Sequence, residues 1–246
     1  MKKFLFLLVI IVIGVGGWRV WQKGRDGAAS SSNTQQQAAF NKKQFSLTDS
    51  ASKWVIVNKH RRIDPRTYVP SDLIAPDMPL RLAGTDSDEM FMRAEAAHAL
   101  GDLYHAGKQA GHELMVASAY RGYFYQTSLY TTYVKQQGQA EADTQSARPG
   151  FSEHQTGWAV DVEPASRKCE VEACFADTAE GQWVAANAYK YGFVIRYLKG
   201  KQATTGYIYE PWHLRYVGKA LAEEVHKKGN PTLEEFFGLE AAPDYQ

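Results

Sequence analysis

The chain has 246 residues, 44% of them hydrophobic, enough for one good-sized domain with its own core. Its 28 Lys and Arg residues balance 27 Asp and Glu, leaving a formal charge of +1 at pH 7. No run of basic residues forms a stripe, which excludes nucleic acid as an expected partner.

Lys2 and Lys3 lead into an uncharged stretch over residues 4–18, FLFLLVIIVIGVGGW, the pattern of an export signal or membrane anchor. As a helix it would reach roughly 22 Å, short of a hydrocarbon core of roughly 30 Å. A snorkelling Arg19 would let Val20 and Trp21 lengthen it. Residues 1–23 are therefore expected to be an uncleaved membrane anchor or a cleaved signal, placing the protein on the periplasmic or cell-wall side. Residues 24–43, GRDGAASSSNTQQQAAFNKK, are too polar to bury themselves and predict a flexible linker. The folded domain is expected over 44–239, with 240–246 (EAAPDYQ) as a frayed tail.

Within the domain, residues 54–58 (WVIVN) predict a short strand. Ser87 can cap a helix carrying Met90, Ala94, Ala97 and Leu100 on one face, ended by Gly107 or Gly111. Residues 114–119 (LMVASA) predict a buried strand, and 126–137 a helix with Leu129, Tyr130, Tyr133 and Val134 inward, stopped by Gly138. A strand follows at 158–162, then a helix at 181–191 closed by Gly192, the strand FVIRYL, a turn at 199–201 and a strand at 207–213. A final helix carries Val217, Leu221 and Val225. Hairpin-like neighbours late in the chain point to an α+β fold, a central antiparallel sheet packed by helices.

The two cysteines, Cys169 and Cys174, stand close together in RKCEVEACFAD. In an exported chain the simplest reading is a local disulfide; half of a zinc site is the alternative, although no second Cys or His pair stands nearby.

Most of the seven histidines are unremarkable. His98, His105 and His112 sit on or beside the long helix, His60 in a charged KHRR run, and His226 on the polar side of the last helix. His154 and His213 keep different company. In SARPGFSEHQTGWAVDVE, Trp158, Val160 and Val162 share one strand face and Ala159, Asp161 and Glu163 the other. A carboxylate beside the turn that presents His154 forms a plausible metal half-site. A straight strand would hold His154 and Asp161 about 23 Å apart, so the arrangement requires a turn, and Gly157 supplies the freedom for one. In YIYEPWHLRYVG, Glu210 and His213 would point to opposite faces of a regular strand, but Pro211 favours a bulge that lets both enter one pocket. Two imidazoles, one carboxylate and water make a four-coordinate site with an open position, and the remaining acid can take a proton.

Three segments carry a resemblance. Ser152, His154, Gly157, Ala159 and Asp161 fit S-x-H-x-x-G-x-A-x-D; EPWH fits E-x-W-H; and SAYRGYFYQ is similar to an S-x-Y-R segment followed by Gln. Over roughly residues 54–218 the chain resembles the VanY-type D-alanyl-D-alanine carboxypeptidases, a family that includes the LdcB-type L,D-carboxypeptidases. The resemblance implies the Hedgehog/DD-peptidase-like zinc peptidase fold, with one Zn²⁺ per chain held by His154, Asp161 and His213. It implies Glu210 as catalytic base and then acid, and Arg121 on the scissile carbonyl or the substrate carboxylate. Gln126, Ser146 and Ser152 fall where the family shapes its substrate-carboxylate pocket. The implied activity is removal of the terminal D-alanine, after a D- or L-residue, from peptidoglycan stem peptides by Glu-assisted attack of water. An endopeptidase on the same scaffold and a non-catalytic, zinc-containing peptidoglycan-binding module are the alternatives.

Overall fold

The computed structural model describes residues 39–82 and 88–246. The expected anchor or signal (1–23), the linker as far as residue 38, and Ser87 lie outside the described residues. Among the described residues no helix is long and apolar enough to cross a membrane.

A two-stranded antiparallel ribbon, β1 (Leu73–Ile74) with β2 (Met92–Arg93), leads directly into α1 (Ala94–Gln109). Met90 sits in a 3-10 turn, Asp88–Met90, ahead of this ribbon rather than in the helix. Gly107 lies inside α1, where a Cβ would stand 3.1 Å from the Trp183 ring. After β3 (Leu114–Ser118) come α2 (Tyr123–Gln137) and α3 (Gln139–Gln145), separated by Gly138. Then follow β4 (Ala159–Pro164), α4 (Ala179–Asn187), β5 (Phe193–Tyr197), the single-turn α5 (Gln202–Thr205), β6 (Glu210–Tyr216), α6 (Lys219–Lys227) and α7 (Leu233–Phe237). The last helix starts with a complete capping box between Thr232 and Glu235.

The central sheet has the order β3-β4-β6-β5, antiparallel throughout, which is the expected α+β architecture. Cross-strand partners share a face, so Val160 with Leu214 lies on one side and Asp161 with His213 on the other. The first side is apolar: Val116, Val160, Val162 and Leu214 join Leu100 and Leu103 of α1 and Val184 of α4 in the main core. A second cluster gathers Trp54, Ile56 and Val194 with Leu221 and Val225 of α6 and Phe236 of α7.

Further expectations are corrected. Residues 54–58 do not pair as a strand; their only ladder-like contact is an isolated bridge between Asn58 and Arg61. The segment is buried, but side chains take up its backbone carbonyls: Arg215 Nη2 donates to Val55 at 2.9 Å and to the preceding Lys53 at 3.0 Å, and Arg61 Nε to Ile56 at 3.3 Å. The inner face of α2 is only half-buried, and Gln126 alone of that helix is fully buried. The strand expected at 207–213 is displaced to Glu210–Tyr216. The closing segment 240–246 contains no helix or strand, yet it is held down: Ala242 is buried and donates its N–H to Thr204, and the Tyr245 hydroxyl accepts from the Arg148 N–H at 2.8 Å.

Candidate active site

The turn required at Gly157 is present. A 3-10 turn, Glu153–Thr156, ends on Gly157 at φ +72°, whose N–H donates to the His154 carbonyl. A Cβ at this position would stand 2.8 Å from Arg93 Cγ, so both conformation and space select glycine. The turn folds His154 back over the polar face of β4, beside Asp161. The irregularity expected at Pro211 is present too: Ile195 pairs with Leu214 but Tyr197 pairs with Glu210, so two steps along β5 face four along β6. The extra residues carry Glu210 to the same pocket as His213.

His154, Asp161 and His213 are all buried, and one ligand-type atom from each lies within 4.8 Å of the others. His154 Nε2 stands 3.3 Å from Asp161 Oδ2, and His213 Nδ1 stands 3.2 Å from Asp161 Oδ1. Neither contact forms a good hydrogen bond; His154 Nε2 and Asp161 Oδ1 are buried without a partner. At His154 the tautomer follows from geometry, because Nδ1 lies 2.6 Å from the Ala119 carbonyl. A carbonyl only accepts, so Nδ1 carries the proton and Nε2 offers a lone pair. Orphaned buried acceptors facing one point are what a cation would satisfy, and two nitrogens with a carboxylate suit zinc.

The four titratable groups at this point are shifted in different directions. Burial, helped by the nearby Arg121, lowers the His154 pKa to about 4 and keeps its imidazole neutral. Burial also depresses His213, but its contacts with Asp161 and Glu153 outweigh that and raise it to about 9. Burial would raise Asp161, yet its two histidine neighbours hold it well below the usual carboxylate range. Glu210, with Oε2 3.6 Å from His213 Nδ1, is pushed up by burial to about 8. A carboxyl poised near neutrality is suited to proton transfer.

Arg121 follows β3 and reaches over the sheet, with Nη1 3.2 Å from Ser118 Oγ and 3.5 Å from Asp161 Oδ2. Its Nε is buried and unpartnered, a donor available to an anion. A cleft of about 360 Å³ opens over these groups, lined by Arg121, Ser146, Asp161, Glu210 and His213, with Leu129, Tyr133, Val171 and Trp212 along its walls. Ser152 and Ser146 line a small recess next to it. A more open depression of about 740 Å³ lies elsewhere, around Lys59, but that ammonium is already bonded to the carbonyls of Gly206 and Pro243.

Of the residues singled out from the sequence, Asp161, His213, Glu210, Arg121 and Ser146 meet at this cleft, and His154 and Ser152 line the recess beside it. Gln126 does not line it. That side chain is fully buried behind the wall, and its Nε2 donates to Ser146 Oγ and the Ala147 carbonyl at 3.2 and 2.8 Å. Cys169 and Cys174 are joined in a disulfide, and the bridged loop supplies Val171 and Glu172 to one cleft wall. Glu153, between two motif residues, is the group that sequence reasoning passes over. It is buried against Arg196 and Arg215 and faces His213 from behind. Three charged residues that are far apart in the chain gave no local pattern to reveal it.

A family model described as "VanY: D-alanyl-D-alanine carboxypeptidase" matches residues 89–219. The chain is 44% identical over 182 residues to the putative carboxypeptidase YodJ of Bacillus subtilis (strain 168), covering 74% of this chain and 66% of that one. It is 33% identical over 155 residues to a D-alanyl-D-alanine carboxypeptidase of Enterococcus faecium, covering 62% and 46%. The match thus spans somewhat under two thirds and under half of these relatives' lengths. Among solved structures, the LdcB LD-carboxypeptidase superposes with a TM-score of 0.72 at 42% identity, covering 77% of this chain and 87% of that one. The vancomycin-resistance D,D-pentapeptidase VanY, determined in complex with Zn(II), gives 0.60 at 29% identity, covering 74% and 97%.

Proposed function

Because the chain belongs to the VanY family of D-alanyl-D-alanine carboxypeptidases, we propose that it is a zinc carboxypeptidase that removes the terminal D-alanine from peptidoglycan stem peptides, across a D,D or an L,D bond. The observation that carries the reading is the convergence of His154 Nε2, Asp161 and His213 Nδ1 on one buried point beside Glu210 and Arg121. One Zn²⁺ per chain would be held by those three side chains and would supply Lewis-acid activation of water and of the scissile carbonyl.

The remaining work falls to the protein's own groups. Glu210 accepts the proton of the attacking water and returns it to the departing amine of D-alanine. Arg121 meets the substrate carboxylate or the charge that develops on the carbonyl oxygen, and its fixed cation needs no reorganisation to do so. Ser146 and Ser152 offer hydroxyls to the same anionic end. Gln126 acts from behind, holding Ser146 and the Ala147 carbonyl in place. The Cys169–Cys174 bridge and the apolar run at residues 4–18 support action outside the cytoplasm, with the N-terminal run as a membrane tether or an export signal.

The test is mass spectrometry of defined muropeptides incubated with wild-type protein and with Glu210→Ala. The expected outcome is loss of one alanine with wild type only, abolished by a chelator and restored by zinc. Equal products from both proteins would remove Glu210 from the mechanism. No product from either would favour a binding module, and opening of cross-linked dimers without alanine release would favour an endopeptidase.

A further inference from the structure

Behind His213, away from the cleft, lies a group of charges that the chemistry above leaves unused. The side chains of Glu153, Arg196, Arg215 and Glu234 are all fully buried. Arg196 Nε and Arg215 Nη1 both donate to Glu153 Oε1, at 2.8 and 2.9 Å. The other end of Arg196 grips Glu234 of α7 through two bonds of 2.9 and 2.6 Å. Arg215 Nη2 is spent on the carbonyls of Lys53 and Val55. Two cations and two anions balance, and burial of the Glu153 carboxyl is outweighed by its two arginines, which hold it well below the usual carboxylate range.

Taking four charges out of water is costly, and an apolar cluster of the same volume is often at least as stable. Stability alone is therefore a poor reason for this arrangement. Its geometry supplies another. Both arginines converge on Oε1, while Oε2 has no hydrogen bond and faces His213 Nε2 at 3.4 Å. That nitrogen has no hydrogen-bond partner either. The two unpartnered atoms face each other, in a line that continues through the ring to Nδ1, Asp161 and the cleft.

We propose that Glu153 is a positioning residue for His213: clamped by Arg196 and Arg215 through one oxygen, it offers the other to the Nε2–H and fixes the tautomer in which Nδ1 faces the cleft. It does for His213 what the Ala119 carbonyl does for His154, with the two ring nitrogens exchanged. A carboxylate behind a ligating imidazole also increases its basicity. The proposal rests on His213 being a zinc ligand, as in the function proposed above.

The test is zinc affinity of the full chain, measured by competition with a chromogenic chelator. Glu153→Gln is expected to weaken binding about 10- to 100-fold. Glu234→Gln removes a charge from the same cluster without touching His213; it is expected to lower the melting temperature but keep zinc affinity within about threefold of wild type. Equal losses of affinity in both variants, or a folded Glu153→Gln with wild-type affinity, would overturn the role. Wild-type protein gives a reading that needs no variant: imidazole ¹⁵N NMR of the zinc-loaded chain should place the proton of His213 on Nε2 and that of His154 on Nδ1. A proton on His213 Nδ1 would overturn the proposal. Failure of the function itself looks different: zinc bound with these tautomers but no alanine released would sink the activity and leave Glu153's role intact.

Discussion

On one face of the central sheet Val116, Val160, Val162 and Leu214 pack against Leu100, Leu103 and Val184, with no charge among them. On the other face the same strands β4 and β6 carry Asp161, His213 and Arg215, and β5 adds Arg196. The second face is itself divided. Behind His213 the ion pairs are short and numerous, whereas towards the cleft His154 Nε2, Asp161 Oδ1 and Arg121 Nε are buried without partners. Unmet polar groups in a folded interior are costly, and on the cleft side of His213 three of them face one space. The apolar face supplies stability, the inner polar half supplies rigidity, and the unmet half is left for a ligand.

Substitutions on each part should therefore separate activity from stability. The largest effect is expected at Glu210: Glu210→Ala should slow alanine release by about 10²- to 10⁴-fold with zinc still bound and the melting temperature nearly unchanged. Parallel loss of zinc would show that Glu210 belongs to the binding set instead. On the apolar face, Leu214→Ala should cost about 2–5 kcal/mol of stability while zinc affinity measured at low temperature is retained. A large drop in affinity there would blur the division between faces.

Acidity gives a third handle. The His213 pKa is raised to about 9 in the metal-free protein, so the site holds a proton over the neutral range, and a ligating nitrogen must release it. Zinc affinity should therefore rise as pH increases, by up to about tenfold per unit, and level off near pH 9. Calorimetry in buffers of different ionisation enthalpy should register the released proton; affinity independent of pH between 7 and 9 would contradict the assignment. The smallest effect is expected at the turn. Gly157→Ala places a Cβ at φ +72° and 2.8 Å from Arg93 Cγ, which should cost about 1–2 kcal/mol. Chemical denaturation measures it, and a neutral result would mean that the turn reshapes freely.

Much of this could be read from the sequence because it depends on local rules. The alternation along β4 separates Val160 and Val162 from Asp161, and Gly157 and Pro211 mark the two backbone irregularities that bring His154 and Glu210 inward. What could not be read depends on distant partners. WVIVN has the pattern of a strand, but Arg215 and Arg61 occupy carbonyls that a neighbouring strand would otherwise bond. Gln126 stands where the motif puts it, yet its amide turns into the wall, where Nε2 bonds Ser146 and the Ala147 carbonyl. Leu129 and Tyr133 match a buried helix face but flank an open cleft, so each remains partly uncovered. Glu153 has no signal of its own, since its meaning comes from Arg196, Arg215 and His213, 43 to 62 residues away.

The proposed function requires one zinc ion where His154, Asp161 and His213 meet. Anomalous X-ray scattering on either side of the zinc absorption edge tests it directly in crystals of the zinc-loaded protein. A single strong peak per chain is expected, in contact with His154 Nε2, an Asp161 oxygen and His213 Nδ1, and it should be lost in Asp161→Ala. A peak elsewhere, or none at these three side chains in zinc-replete protein, would contradict it.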